Sequence, residues 1–200
     1  MPESFFSRLE EKLGVHQQPL KERINLVIYR LRVQRNKIES TSLTLQRRDK
    51  ELFDKCVAAR ATDDSPRANL YAEECAEVRK IAKVVLQSEL ALEQMIFKLE
   101  TAEMLGDIAY LVSPIKKVVS TVGQQVQHLM PEVSFELSQI NESLDGFATE
   151  AGNVADVMIS TESHSPEAEK VFTEAGVLAE QKMKSRFPEL HPAEPTATPT

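Results

Sequence analysis

Histidine, cysteine and the glycine loops are where a chain of this kind would do chemistry, and here they do not converge. His16, His128, His164 and His191 are scattered, and no Glu-x-x-His pair of the sort that builds a di-metal helical bundle is present. HExxH, GxGxxG, Walker and GxSxG patterns are all missing. The many glutamates read as solvated helix faces. No enzymatic activity, metal or cofactor is expected. Two cysteines, Cys56 and Cys75, cannot form a disulfide framework, and they read as small buried thiols in a reducing compartment.

The charges are more informative. Residues 1–60 carry 13 basic and 8 acidic side chains, net +5; residues 61–200 carry 11 basic and 23 acidic, net −12. An anionic partner for the first part, pairing between the two parts, or both would follow. At 3.6 residues per turn, Arg23, Arg30, Lys37, Arg48 and Lys55 fall within about 40° of one another. Beside an anionic bilayer each such side chain contributes about 1 kcal/mol. The same stripe could equally stay solvated or dock the acidic later helices. Ahead of it, Phe6, Leu9 and Leu13 share one face of a short segment with Phe5 beside it. That segment can wedge into a bilayer or pack on the rest of the chain.

These side chains need elements to hold them. Pro and Gly are absent from 21–65 and again from 67–105. Ile24, Leu31, Ile38, Leu45, Leu52 and Ala59 repeat every seven residues, as do Tyr71, Val78, Val85, Leu92 and Leu99. Ile81, Ser88, Met95, Ala102 and Ala109 make a companion seam. Such repeats predict two helices of about 40 residues, each roughly 60 Å long, with a coiled-coil-like contact. Residues 61–66 join them, with Ser65 and Pro66 as N-cap and first-turn residue. So short a connection makes the helices antiparallel, and 20–112 is read as one long hairpin. Pairing Leu52 with Val78 brings Cys56 opposite Cys75.

Ser113-Pro114 and Met130-Pro131 restart the chain as helices at about 114–129 and 132–151. Residues 160–166 read as a polar linker and 166–186 as an amphipathic helix. Its apolar face is Val171, Phe172, Ala175, Leu178, Ala179 and Met183. The Pro/Thr-rich end reads as disordered. The organisation is an N-terminal amphipathic segment (1–19), the hairpin (20–112), shorter helices (113–159), a linker with a final helix (160–186) and a tail (187–200). The fold class is all-α. With 200 residues, 6 glycines and no Trp, a large multidomain enzyme or a turn-rich fold is excluded. No run of apolar residues is long enough to span a membrane, and the first residues lack a signal-peptide pattern, so an intracellular setting is expected.

The order of these elements resembles the ESCRT-III family. KERINLVIYRLRVQRNKIE (21–39), LALEQMIFKLETAEMLGDIAYLVSPIKKV (90–118) and AEKVFTEAGVLAEQKMKSRFPEL (168–190) are similar to the core of the archaeal cell-division B (CdvB) proteins. The resemblance implies an ESCRT-III-like helical hairpin whose later helices fold back in a closed state. On opening, it would polymerise with itself and related paralogues into filaments on anionic membrane, at the inner face of the division site. It would drive constriction and scission there, with no nucleic-acid partner. It further implies membrane contact through Phe5, Phe6, Leu9 and the Arg23–Lys55 stripe. Glu132, Glu136, Glu142 and Asp145 would hold that stripe until activation.

An AAA-type ATPase would extract subunits through its microtubule-interacting-and-transport (MIT) domain. Glu180, Met183, Arg186, Phe187 and Leu190 resemble a helical MIT-interacting motif, with Met and Phe where leucines are usual. Pro188 interrupts that helix, and residues 187–192 also resemble the extended, proline-containing version; both stay open. The longer division protein of the family carries a C-terminal winged-helix-like segment that 187–200 could not form. The chain is therefore expected to resemble the shorter paralogues. A static coiled-coil scaffold or a curvature-binding dimer are the alternatives.

Overall fold

The computed structural model describes residues 20–105, 109–152 and 166–187. The expected N-terminal segment, the linker up to residue 165 and the tail from residue 188 lie outside the described residues. Every regular element described is helical: α1 (Leu20–Ala61), α2 (Ser65–Leu105), a 3-10 turn (Ala109–Leu111), α3 (Val112–Val126), α4 (Pro131–Gly152) and α5 (Pro166–Arg186).

The heptad seams form the hairpin's interface toward its base; toward the tip Ala68, Cys75 and Ala82 of α2 are buried instead of the expected Tyr71 and Val78, which are half-buried. Ile24, Leu31, Ile38, Leu52 and Ala59 of α1 are buried with Val85, Leu92, Leu99, Ser88, Met95 and Ala102 of α2, and Leu45 and Ile81 pack at the margin. Arg32–Glu100, Arg35–Glu93 and Arg48–Glu74 mark the antiparallel register along its edge. The turn is tighter than its sequence suggested. The Asp64 amide donates to the Ala59 carbonyl and the Asp63 amide to that of Arg60, with Asp63 in the left-handed region at φ 56°. This is a Schellman C-cap. The N-cap of α2 is Asp64, not Ser65: its Oδ1 accepts from the Arg67 amide at 3.3 Å, and Ser65 is already the first helical residue. A carboxylate reaches the free amides of the first turn as well as a hydroxyl does, and the C-cap geometry delivers Asp64 to that place.

Three further differences are local. α2 is described to Leu105, and residues 109–111 form a 3-10 turn rather than continuing an α-helix to 112. α3 starts two residues before Pro114, a position where proline lacks only an amide that has no partner anyway. It ends at Val126, not 129, where the Leu129 and Met130 amides both turn back to the Val126 carbonyl and prepare Pro131 to open α4.

The second half of the chain folds onto the hairpin. α3 and α4 form an antiparallel pair linked by Lys116–Asp145, with Gly123 close to Leu137. α4 runs antiparallel along α1, and α5 antiparallel along α2. Val118, Val119, Val122, Leu137, Ile140 and Leu144 complete one continuous core with the base of the hairpin. That core stops near Leu45 and Ile81. Beyond it the hairpin continues to its tip on a narrow seam of Leu52, Ala59, Ala68 and Cys75.

Candidate functional site

The Arg23–Lys55 stripe does not present one uniform surface. Arg23 and Arg30 lie beneath α4. The Arg30 guanidinium donates to Glu136 Oε2 at 3.2 Å and to Ser143 Oγ at 3.4 Å. Arg23 Nη2 lies 2.9 Å from where a β-carbon on Gly146 would stand, so the guanidinium reaches α4 at this glycine. Thr41 contacts Met130 Sδ at 3.2 Å where α4 begins. Further along, Lys37 and Lys55 are exposed, and Arg48 faces Glu51 and Glu74 at 3.8 and 3.7 Å.

Of the four acidic residues expected to face the stripe, the structure brings Glu136 to it. Asp145 pairs with Lys116 of α3, and Glu132 and Glu142 are exposed. Phe5, Phe6 and Leu9 lie outside the described residues.

The C-terminal motif is folded against α2. Ala168, Val171, Ala175 and Ala179 are buried, with Phe172 and Met183 packed beside them. Leu178, expected on that face, is 42% exposed. A row of small residues lets α5 approach α2 closely, and the larger Leu178 falls to one side of it. Gly176 leaves only 3.2 Å to Gln87 Nε2, which donates to the Phe172 carbonyl at 3.0 Å. Lys98–Glu167 and Lys83–Glu180 flank the seam. The Lys83 ammonium holds the exposed Glu180 carboxyl below its ordinary range.

At the end of α5, Phe187 is 8% exposed, and the Arg79 guanidinium lies 6.0 Å from its ring centroid. Arg79 also grips the buried Asp49 with two hydrogen bonds, at 2.6 and 3.0 Å. Asp49, Arg79 and Phe187 thus tie α1, α2 and α5 at one point. Spacing alone did not expose this node; Asp49, one of two aspartates in the basic α1, carries no signal in the sequence that separates it from Asp54. Pro188 and Leu190 lie outside the described residues.

The two thiols are free. Cys56 Sγ donates to the Ala68 carbonyl at 3.3 Å and Cys75 Sγ to that of Asp49 at 3.8 Å. Burial pushes the Cys75 thiol up, with the Asp49 charge adding to it. It is a poor nucleophile for that reason. Among the described residues no group of His, Cys, Asp and Glu could hold a metal ion, and no helix is long and apolar enough to cross a membrane.

A long helical hairpin with a basic first helix, covered at its base by three shorter helices that follow it in the chain, defines an ESCRT-III-like helical protein. Comparison with known sequences narrows this. The chain is 38% identical over 179 residues to cell division protein B1 of Sulfolobus acidocaldarius, covering 90% of this chain and 84% of that protein. To cell division protein B of the same organism it is 29% identical over 184 residues, covering 92% and 69%. No protein-family profile matches the chain, and no solved structure matches it. The chain belongs to the cell division protein B (CdvB) family.

Proposed function

We propose that this member of a cell-division family is an ESCRT-III-like subunit that polymerises on anionic membrane at the division site and drives constriction and scission. Copies of this chain and its paralogues join through hairpin faces, and an AAA-type ATPase turns the polymer over by gripping the C-terminal segment with its MIT domain. The observation that carries this reading is the cover of α1: α4 lies on Arg23 and Arg30 while Lys37 and Lys55 stay open. A basic surface half covered by a later helix suits a subunit that binds anionic surfaces weakly until that helix leaves. Released, Arg23 and Arg30 join the open Lys37 and Lys55 on one face, each contributing about 1 kcal/mol near an anionic leaflet.

Negative-stain microscopy of the purified chain, with and without anionic liposomes at low and high salt, tests the proposal. Filaments or coated tubules on the liposomes are expected at low salt. Bare liposomes at every salt, with a discrete oligomer in solution, would instead identify a static scaffold.

A further inference from the structure

Each outer edge of the hairpin carries an apolar strip. Leu26, Tyr29 and Val33 follow one another at three- and four-residue spacing on α1, as do Phe97, Thr101 and Met104 on α2. At 3.6 residues per turn both strips lie about 130–175° round their helices from the buried seam, taken at Ile24, Ile28 and Leu31 and at Met95, Leu99 and Ala102. They therefore face away from one another, one on each side of the hairpin. Leu26, Tyr29, Phe97 and Met104 are all more than half exposed, Met104 at 84%. Single exposed apolar residues are ordinary on a protein surface; two matching strips are not.

The later helices leave both strips open. α4 lies on α1 at Arg23 and Arg30, to one side of Leu26. α5 begins on α2 at the Lys98–Glu167 pair and runs from there toward the tip, past Lys83–Glu180. Through Arg32–Glu100 and Arg35–Glu93, Leu26 stands level with Met104 and Val33 with Phe97. The strips thus share one height at the base of the hairpin and one length, about 10 Å. The charge around them differs. Residues 20–45 carry six basic and two acidic side chains, and residues 86–105 one basic and four acidic. Two α1 edges, or two α2 edges, set like charge against like, whereas an α1 edge on an α2 edge brings opposite charges together. The acidic surround of Phe97 and Met104 also turns away an anionic bilayer.

We propose that this chain stacks on copies of itself edge to edge in its closed packing, the Leu26–Tyr29–Val33 strip of one copy lying on the Phe97–Thr101–Met104 strip of the next. The contact is heterologous, so every pair leaves one edge of each kind free and the stack is open-ended. It requires neither α4 nor α5 to leave, because neither covers a strip. The inference rests on the proposed function for self-assembly and names the surfaces that carry it; it uses no membrane.

Sedimentation velocity of the full chain without lipid, over a concentration series at low salt, reads the stacking directly. Mass is expected to grow continuously with concentration. Tyr29→Glu and Phe97→Glu each change an exposed side chain, and each should raise the concentration needed at least about tenfold. An equimolar mixture of the two is the decisive sample: one intact edge from each variant gives a discrete dimer and nothing larger. Met104→Glu in place of Phe97→Glu repeats the mixture at a second site. In the wild-type assembly, hydrogen exchange across 131–152 and 166–187 should stay as slow as in the dilute monomer. A wild type that stays monomeric, a mixture that stays monomeric, or a Phe97→Glu variant that assembles by itself would overturn the proposal. Exchange that quickens over 166–187 on assembly would overturn it too, since the copies would then meet only after opening. A chain that coats liposomes without stacking in solution sinks this inference alone, and one that stacks but leaves liposomes bare sinks only the membrane reading.

Discussion

Glu89 is 5% exposed on α2, and its Oε2 accepts no hydrogen bond. Burial raises its carboxyl above the ordinary range, Glu39 of α1 adds to this, and Lys182 and Arg186 of α5 and Arg35 of α1 oppose it. A carboxyl with a raised pKa stabilises the closed packing fully below its unperturbed range, and that stability is lost as pH rises through the raised value. The stability of the closed body is therefore expected to fall as pH rises from the ordinary Glu range through the raised value. Glu89→Gln, which cannot ionise, should remove that part of the slope in denaturant melts across this window. Parallel wild-type and variant curves would show that Glu89 does not titrate there. The Asp49–Arg79 pair behaves differently: both charges are satisfied by each other, and losing one partner leaves the other buried, a change that costs about 3–5 kcal/mol.

At the scale of elements, α5 is the piece whose attachment depends most on small residues. Its seam of Ala168, Ala175 and Ala179 contributes little apolar area by itself and works by letting Val171, Met183 and Phe187 close on α2. Ala175→Leu inserts volume where the residue is 0% exposed, and overpacking of this kind costs about 1–3 kcal/mol. Hydrogen exchange over 166–187 is expected to quicken in that variant while the α1–α2 seam near Leu52 and Cys75 keeps its protection. Uniform loss of protection along the hairpin would mean that α5 is part of one cooperative unit with it. The amphipathic pattern placed a helix at about 166–186, where the structure describes Pro166–Arg186; Leu178 departs from the expected face because the row of small residues at the contact leaves it to one side.

For the whole molecule, the opposition of a basic first 60 residues to an acidic remainder is realised in part as contact. Glu136 on Arg30 crosses from one part to the other, whereas Glu180 on Lys83 and Glu167 on Lys98 join residues that both belong to the acidic remainder. Arg30 and Glu136 remain 26% and 39% exposed, so solvent screens the pair and its worth is about 0.5–1 kcal/mol. Glu136→Gln should lower the protein concentration needed to coat anionic liposomes about two- to fivefold at low salt. The difference should shrink as salt rises. An unchanged threshold would mean that apolar packing of α4, not this ion pair, keeps the stripe covered.

Sequence by itself determined the hairpin, because a seven-residue apolar repeat uninterrupted by Pro or Gly leaves one helical interface open to it, and a short connection leaves one direction. It also determined the restarts at Pro114 and Pro131 to within two or three residues, and the span of α5. The turn chemistry escaped it: whether Asp64 or Ser65 caps α2 depends on where the Schellman turn leaves each side chain. Which cations are covered was decided only by tertiary structure. Arg23, Arg30, Lys37, Arg48 and Lys55 are equivalent on a helical wheel, and what separates them is where α4 comes to rest, a position set by the packing of Leu137, Ile140 and Leu144. The burial of Phe187 beneath Arg79 has the same origin. A single helix carries no record of which distant helix will lie on it, so contacts between α5 and α2, about a hundred residues apart in the chain, had to come from the fold.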